Sequence, residues 1–344
     1  MPKIDDNSIL FFARNITWQV AQTNFPMAIK AKNISKRAGN GWAFRDIDLE
    51  ARFGETLCIF GPSGAGKTML LRILSGQDRA DTGLLILDES ITPGSAVFPE
   101  TLLARPLGLF GRITRRLVPE TAQNRVKRLK PVLENRGNRL VLLDEPLSGL
   151  DIFSKNEIAG QIRLAASHGA ALIVTAADFY DVCLIADRIS VISDGYLRQT
   201  GTPNEIYDTP ESSFIASLCG PINLIEARRL TSSKADMPEF QTISGGHRLF
   251  TQKMDVRRLG AINRNIKLGI RPEQIALSFG AAFPEDNLLK GTIVNTRFFG
   301  PFTHVEMDCN GLTLTASVPR LIGITAGDEC MVGLPPDRIR VFAN

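Results

Sequence analysis

Between residues 28 and 222, short apolar runs alternate with helix-like segments. The stretches Thr68–Leu74 and Ser154–His168 predict helices. Four apolar runs predict strands: Thr56–Phe60, Leu140–Leu143, Ala171–Val174 and Ile189–Ile192. The first two are apolar throughout, as expected when both faces of a sheet are covered. The alternation therefore predicts an α/β domain in which helices flank a parallel sheet.

The pattern changes after residue 222. Within Gly201–Gly220, Thr202 is placed as an N-cap, Pro203 as the first helical residue and Glu205 as a capping-box acid, so a helix is expected to close the first domain. Glycines and prolines then separate short predicted strands, which favours a small all-β barrel or sandwich. These strands are Ile266–Ile270, Leu289–Arg297, His304–Cys309, Leu312–Val318 and Asp337–Phe342.

Length and composition agree with two domains, because 344 residues with 44% apolar content can bury more than one core. We predict an N-terminal extension at 1–27, the α/β domain at 28–222 and a β-rich domain at 223–344. The apolar runs are far shorter than the roughly 20 residues that a membrane-spanning helix needs. Asp5 and Asp6 near the N-terminus do not fit a secretory signal, so a cytoplasmic location is expected.

Cysteines and charge add little to this picture. The five cysteines lie far apart with no Cys-x-x-Cys pair, which predicts buried free thiols rather than a zinc site or disulfides. The net charge is only +4, but nine basic residues fall between Arg112 and Arg139 against Glu120 and Glu134. This bias is typical of a solvated helical face, and an anionic partner is the alternative.

The sharpest motif is a phosphate-binding loop. Its residues are Gly61, Pro62, Ser63, Gly64, Ala65, Gly66, Lys67 and Thr68, which match G-x-x-x-x-G-K-[ST] at every fixed position. A predicted strand leads in and a predicted helix leads out, the order that aims backbone N–H groups at phosphate oxygens. We expect Lys67 to contact the β- and γ-phosphates of ATP and the Thr68 hydroxyl to coordinate Mg²⁺.

A pair of acids follows the predicted strand Leu140–Leu143. Asp144 is placed at the carboxyl edge of the sheet, within reach of a metal held by Thr68. The adjacent Glu145 is expected to polarise an attacking water as a general base. An acidic pair is a weak signal alone and a strong one together with the phosphate loop.

These motifs resemble those of the ABC transporter ATP-binding subunits. Residues 144–151 are similar to the family's Walker B strand end and D-loop, and the run 187–207 is similar to the tail of sugar, polyamine and anion importer subunits. Residues 269–273, with the sequence GIRPE, resemble the signature of a C-terminal TOBE-type domain.

The resemblance implies an ATP hydrolase that energises solute uptake. It implies a homo- or hetero-dimer with ATP between the subunits, docked under two transmembrane permease subunits and served indirectly by a solute-binding protein. The expected location is the inner face of the cell membrane, and nucleic acid is not an expected partner. The resemblance favours carbohydrates or polyols as solutes, ahead of polyamines and inorganic anions.

The sequence also departs from the family. Pro99 follows Val97-Phe98 where the family has a glutamine, residues 118–124 lack the glycines of the signature, and Ala177 replaces a histidine. Only 45 positions separate Pro99 from Asp144, fewer than the helical subdomain of the family needs. Ala38 stands where an aromatic should stack on adenine, with Trp42 as a possible substitute or simply a packing residue.

Three functions are compatible with these features. The first is an importer ATPase subunit, whose turnover is weak or dependent on a partner because transition-state contacts are lost while the phosphate cradle remains. The second is an impaired regulatory partner of an intact ATPase. The third is a chromosome-maintenance ATPase, although the sequence lacks the long heptad-patterned arms that such proteins use.

In the β-rich domain, Arg271 and Arg297 are candidates for oxyanion binding, although packing is the favoured role.

Overall fold

A computed structural model describes residues 12–13, 16–21, 27–91, 122–134, 139–234, 237–254, 259, 261–280, 287–319 and 323–342. The chain divides into two compact units, residues 1–208 and 209–344. The domain boundary predicted between residues 222 and 223 stays a prediction.

The first unit contains two five-stranded sheets. Its strands are β1 (Phe12–Ala13), β2 (Ile16–Ala21), β3 (Met27–Ala38), β4 (Gly41–Arg52), β5 (Thr56–Phe60), β6 (Thr82–Asp88), β7 (Arg139–Leu143), β8 (Ala170–Ala176), β9 (Arg188–Ser193) and β10 (Tyr196–Gly201). The central sheet has the order β10-β9-β5-β8-β7 and is parallel except for the β9–β10 hairpin. The second sheet has the order β1-β2-β6-β3-β4 and is mainly antiparallel. The four predicted strands are thus confirmed as neighbours in one parallel array.

The helices of the first unit lie on both sides of the central sheet. They are α1 (Lys67–Leu74), α2 (Ala122–Glu134), α3 (Ile152–Ser167), α4 (Phe179–Ile185) and α5 (Pro203–Asp208). Leu140 and Leu142 of β7 belong to the core that contains α1, whereas Val141 and Leu143 belong to the core that contains α3. Successive strand residues point to opposite faces, so this division explains why β7 is apolar throughout.

Local hydrogen bonds fix the helix starts. Asp151 caps α3, because its carboxyl accepts hydrogen bonds from the backbone N–H groups of Phe153 and Ser154. These hydrogen bonds, and above all the one from Ser154, lower the pKa of the Asp151 carboxyl. The predicted capping box also forms: Thr202 N–H donates to Glu205 at 2.8 Å, and Glu205 N–H donates to the Thr202 hydroxyl at 3.3 Å. The helix that it starts is short, because α5 ends at Asp208 ahead of Pro210.

The second unit is built on two antiparallel five-stranded sheets, which confirms the all-β prediction. Its elements are α6 (Ser213–Leu218), β11 (Asn223–Arg229), β12 (Glu239–Thr242), β13 (Arg248–Phe250), β14 (Asn265–Ile270), β15 (Ala276–Ser278), β16 (Leu288–Phe299), β17 (Phe302–Cys309), β18 (Leu312–Pro319), β19 (Glu329–Gly333) and β20 (Arg340–Phe342). The orders are β13-β12-β11-β14-β20 and β15-β19-β16-β17-β18. One core joins the two sheets through residues such as Leu268, Val305 and Val332.

The two arginines singled out in this unit differ in environment. Arg271 is only 4% exposed, and its Nη1 donates to the carbonyls of Ala216, Gly220 and Pro221 at 2.9–3.1 Å. Arg297 lies exposed near the end of β16. Arg271 therefore serves to hold the segment that follows α6, in agreement with the packing role rather than oxyanion binding.

Replacing Arg271 with methionine should destabilise the protein. The change leaves buried carbonyls without their charged donor, so we expect the free energy of unfolding to fall by about 3 kcal/mol. Urea denaturation of the full chain measures this. The matched variant Arg297→Met should stay within about 0.5 kcal/mol of the unmodified protein. Equal effects of the two substitutions would contradict the assigned role of Arg271.

All five cysteines are free thiols in the structure. The prediction that they are buried agrees with four of them and is wrong for Cys183 on α4, which is exposed. Burial raises the pKa of the Cys309 thiol to about 12 and also raises that of Cys58. These groups therefore stay protonated at neutral pH and behave as small apolar side chains.

Candidate functional site

The phosphate-binding loop begins where β5 leaves the central sheet. A Cβ atom at Gly61 would lie 2.2 Å from the carbonyl oxygen of Ile192 on the neighbouring strand β9. No side chain fits there, so glycine is required for the chain to turn out of the sheet at this point. The loop is further closed by the Ala65 N–H, which donates to the Pro62 carbonyl at 3.2 Å.

The loop ends at the N-terminus of α1. Gly66 caps this helix with φ of +87°, and a Cβ there would approach Cδ1 of Phe44 to 3.0 Å. Both the left-handed backbone and the close contact favour glycine. Among the described residues no side chain caps α1, and no residue of its first turn is acidic. Its first N–H groups are therefore available to an anion, which the helix dipole favours.

Lys67 is held inside the loop. Its side chain is 5% exposed, and Nζ donates to the carbonyls of Gly61 at 2.9 Å and Pro62 at 3.0 Å. The same Nζ lies 3.5 Å from Oε1 of Glu145. The buried ammonium group of Lys67 therefore places one fixed positive charge beside the backbone N–H groups of the loop and next to the Glu145 carboxylate.

Thr68 and Asp144 meet at the carboxyl edge of the central sheet. The Thr68 hydroxyl donates to Oδ2 of Asp144 at 2.7 Å. The sequence prediction that these two oxygen-bearing side chains share a site therefore agrees with the geometry. What either residue binds remains a prediction at this point.

A third residue, Thr175, belongs to the site and was not predicted. Its hydroxyl donates to Oδ1 of Asp144 at 2.5 Å and accepts from the Glu145 N–H at 2.9 Å. The signal was available in the sequence, because Asp144 and Thr175 are the residues that follow two predicted parallel strands, 140–143 and 171–174. Strand register places them side by side, since Leu143 pairs with Val174.

Glu145 has a strained backbone. Its φ of +44° lies in the left-handed region, which is uncommon outside glycine and clusters at functional sites. The Glu145 carbonyl accepts from the Ser148 N–H at 3.2 Å, and its N–H is bound by Thr175. These bonds offset the strain at Glu145, whose Oε1 lies 3.5 Å from Nζ of Lys67.

Other predicted features are only partly visible. Ala177 lines a cavity of about 180 Å³ that also reaches Glu145, Asp178 and Asp181. Trp42 is 38% exposed, with the guanidinium carbons of Arg37 and Arg45 at 4.8 and 5.4 Å from its ring centroid. Its adenine-stacking role stays a prediction. Pro99, the signature-like residues 118–121 and four of the nine basic residues between Arg112 and Arg139 fall outside the described residues.

The donor atoms at the sheet edge suit a magnesium ion. Mg²⁺ prefers hard oxygen ligands and is usually held by one or two protein groups while phosphates and water complete its shell. The Thr68 hydroxyl and the Asp144 carboxylate are such a pair. Within the described ranges there is no group of three or more His, Cys, Asp or Glu side chains that would hold a metal on its own.

Fold and site together define a P-loop nucleotide-binding protein with an added β-rich domain. Family models match the chain in both parts: "ABC transporter" over residues 44–106 and "TOBE domain" over residues 268–342. These matches confirm the resemblance to ABC transporter ATP-binding subunits with a TOBE domain. They also confirm the predicted enzyme class, an ABC-type ATP hydrolase.

Curated relatives extend over nearly the whole chain at modest identity. A spermidine/putrescine import ATP-binding protein of Trichormus variabilis is 27% identical, with 88% of this chain and 89% of the relative covered. A sulfate/thiosulfate import ATP-binding protein of Rhodopseudomonas palustris is 26% identical (92% and 100%). A trehalose/maltose import ATP-binding protein of Thermococcus litoralis is 24% identical (91% and 97%). The chain is thus similar to ATP-binding subunits of importers.

Among solved structures, a nucleotide-free ATP-binding cassette from an ABC transporter aligns with a TM-score of 0.41 and 16% identity. The alignment covers 56% of this chain and 98% of that one. The helices in the described part of the chain include none that combines the length and the apolar character needed to span a membrane.

Proposed function

We propose that this chain is the ATP-binding and ATP-hydrolysing subunit of an ABC importer. The observation that carries the proposal is the meeting of a buried Lys67, a Thr68–Asp144 hydrogen bond and Glu145 around one glycine-rich loop. Importer names among the relatives support the transport role. They also favour this function over that of an impaired regulatory partner.

The phosphates of ATP would occupy the cradle formed by residues 61–68. Backbone N–H groups at the start of α1 donate to phosphate oxygens, and Lys67 exchanges its contact with Glu145 for the β- and γ-phosphates. Thr68 and Asp144 would hold Mg²⁺, which when bound neutralises charge on the phosphates.

Glu145 is the proposed general base. As the oxygen of a water molecule bonds to the γ-phosphorus, the Glu145 carboxylate accepts a proton from that water. The bond between the γ-phosphorus and the β–γ bridging oxygen breaks, and the electron pair leaves with ADP. The positive φ of Glu145 aims its carboxylate at Lys67, beside the region where the γ-phosphate would lie.

The proposed partners are a second ATP-binding subunit and two transmembrane permease subunits, with a solute-binding protein acting through them. The chain would sit in the cytoplasm against the inner face of the membrane. The relatives carry names for polyamines, sulfate and disaccharides, so the carbohydrate or polyol solute stays a prediction.

Copurification tests the transport role. A tagged chain extracted with mild detergent from membranes of its own cells should bring down two integral membrane proteins in stoichiometric amounts. The matched variant Asp144→Asn should keep these partners, because the substitution alters the metal donor and not the fold. Recovery of soluble proteins alone would contradict the importer role while leaving nucleotide binding untouched.

A further inference from the structure

We propose that Thr175 is a positioning residue that sets the affinity of the site for Mg²⁺ and the orientation of Glu145. The inference rests on the proposed function, since it concerns the ATP–metal site. It starts from one hydroxyl group that touches both of the acids at the sheet edge.

The direction of each hydrogen bond is fixed by donor counting. The Glu145 N–H can only donate, so the Thr175 oxygen accepts that bond at 2.9 Å. The single hydroxyl proton of Thr175 is then left for Oδ1 of Asp144, at 2.5 Å. The result is a relay in one direction, from the Glu145 backbone through Thr175 to the Asp144 carboxylate, in which each bond polarises the next.

This relay determines which oxygen of Asp144 remains for a metal. Thr175 occupies Oδ1, so Oδ2 is turned towards the Thr68 hydroxyl at 2.7 Å. Ligating carboxylates commonly need such an outer hydrogen bond to stay oriented. Thr175 is 0% exposed, so water does not replace its hydroxyl from solvent. The carboxylate is therefore preorganised by a side chain that does not itself touch the ligand.

The same hydroxyl holds Glu145 in its uncommon conformation. A non-glycine residue keeps a φ of +44° only where several surrounding interactions hold its backbone in that conformation. The bond from Glu145 N–H to Thr175 is one of these, and it forms at the residue next to Asp144. Thr175 thus links the orientation of the metal donor to that of the proposed base.

The chain offers a matched control. Thr56 is also a fully buried threonine of the central sheet, at the start of β5. Its hydroxyl has no hydrogen-bond partner within the described part of the chain. The same Thr-to-Val substitution can therefore be made at a site where no relay depends on the hydroxyl.

Equilibrium dialysis with radiolabelled ATP over a range of free Mg²⁺, and in excess EDTA, tests the inference. For Thr175→Val we expect the half-saturating Mg²⁺ concentration to rise about ten-fold or more. In EDTA, Thr175→Val should bind ATP as tightly as the unmodified protein does, because the backbone N–H groups of the loop and Lys67 are intact. The kcat of ATP hydrolysis by Thr175→Val should fall, with little change in KM for ATP. Thr175→Ser, which restores the hydroxyl, and Thr56→Val should match the unmodified protein.

Two results would overturn the inference: an unshifted Mg²⁺ dependence in Thr175→Val, or an equal shift in Thr175→Ser, which would assign the effect to the methyl group. Should Thr175→Val fail to fold, as judged by thermal unfolding, Thr175→Cys takes its place with the same expected shift. Absence of ATP binding by the unmodified protein would instead refute the proposed function, and the inference with it.

Discussion

Replacing Lys67 with alanine is expected to weaken Mg-ATP binding by about ten- to a hundred-fold. Hydrogen bonds from a charged donor contribute about 1.5–3 kcal/mol each, and about 1.4 kcal/mol corresponds to a tenfold change in affinity. Lys67 is the buried cation of the loop, so its loss removes the charge that faces the β- and γ-phosphates. Equilibrium dialysis with labelled ATP measures the change.

The control for this substitution is Lys290→Ala. Lys290 lies in the β-rich unit, and its side chain is 68% exposed beside Glu329. Its replacement should leave the affinity for Mg-ATP unchanged. Thermal unfolding of both variants separates loss of binding from loss of the fold, since Lys67 also holds two loop carbonyls. Undiminished binding by a folded Lys67→Ala protein would refute the assignment of the loop.

Replacing Glu145 with glutamine is expected to lower the rate of ATP hydrolysis by about 10²–10⁴-fold while ATP binding persists. Glutamine keeps the shape of the side chain but accepts no proton at neutral pH, and a positioned general base contributes a factor of this size. The measurement is phosphate release by the chain purified together with its membrane partners, because turnover by the isolated subunit is expected to be low.

An exposed glutamate on α3 gives the comparison. Glu157→Gln makes the same chemical change on the outer side of that helix and should leave hydrolysis unaltered. Equal loss in both variants would point to a general effect of charge. Full activity in Glu145→Gln would remove Glu145 from the role of base while leaving the phosphate cradle as it is.

The phosphate site was largely predictable from the sequence because each of its two parts, residues 61–68 and residues 144–145, is a short local pattern. The turn at Gly61, the helix that begins at Lys67 and the acid after Leu143 all follow from local pattern. Thr175 was missed because one hydroxyl after an apolar run carries no motif, and its signal emerges only when the ends of the predicted strands 140–143 and 171–174 are placed side by side. The buried role of Arg271 likewise depends on carbonyls about 50 residues earlier in the chain.

The fold of the β-rich unit was predicted in class but not in every strand. β11 was missed because only Ile225 and Ala227 face the core, between charged residues that hide the alternation. The strand predicted at Asp337–Phe342 begins only at Arg340, since a turn places the Arg338 N–H on the Pro335 carbonyl. Strands that have one covered face and few apolar residues give the weakest sequence signal.

The central claim is that a lysine, a hydroxyl and two carboxylates around one loop form a site for magnesium nucleotide. Isothermal titration calorimetry of the unmodified protein with ATP, in Mg²⁺ and again in EDTA, tests it most directly. The account predicts saturable heat with one site per chain in Mg²⁺ and weaker binding in EDTA. No heat with Mg-ATP from the folded protein would contradict it.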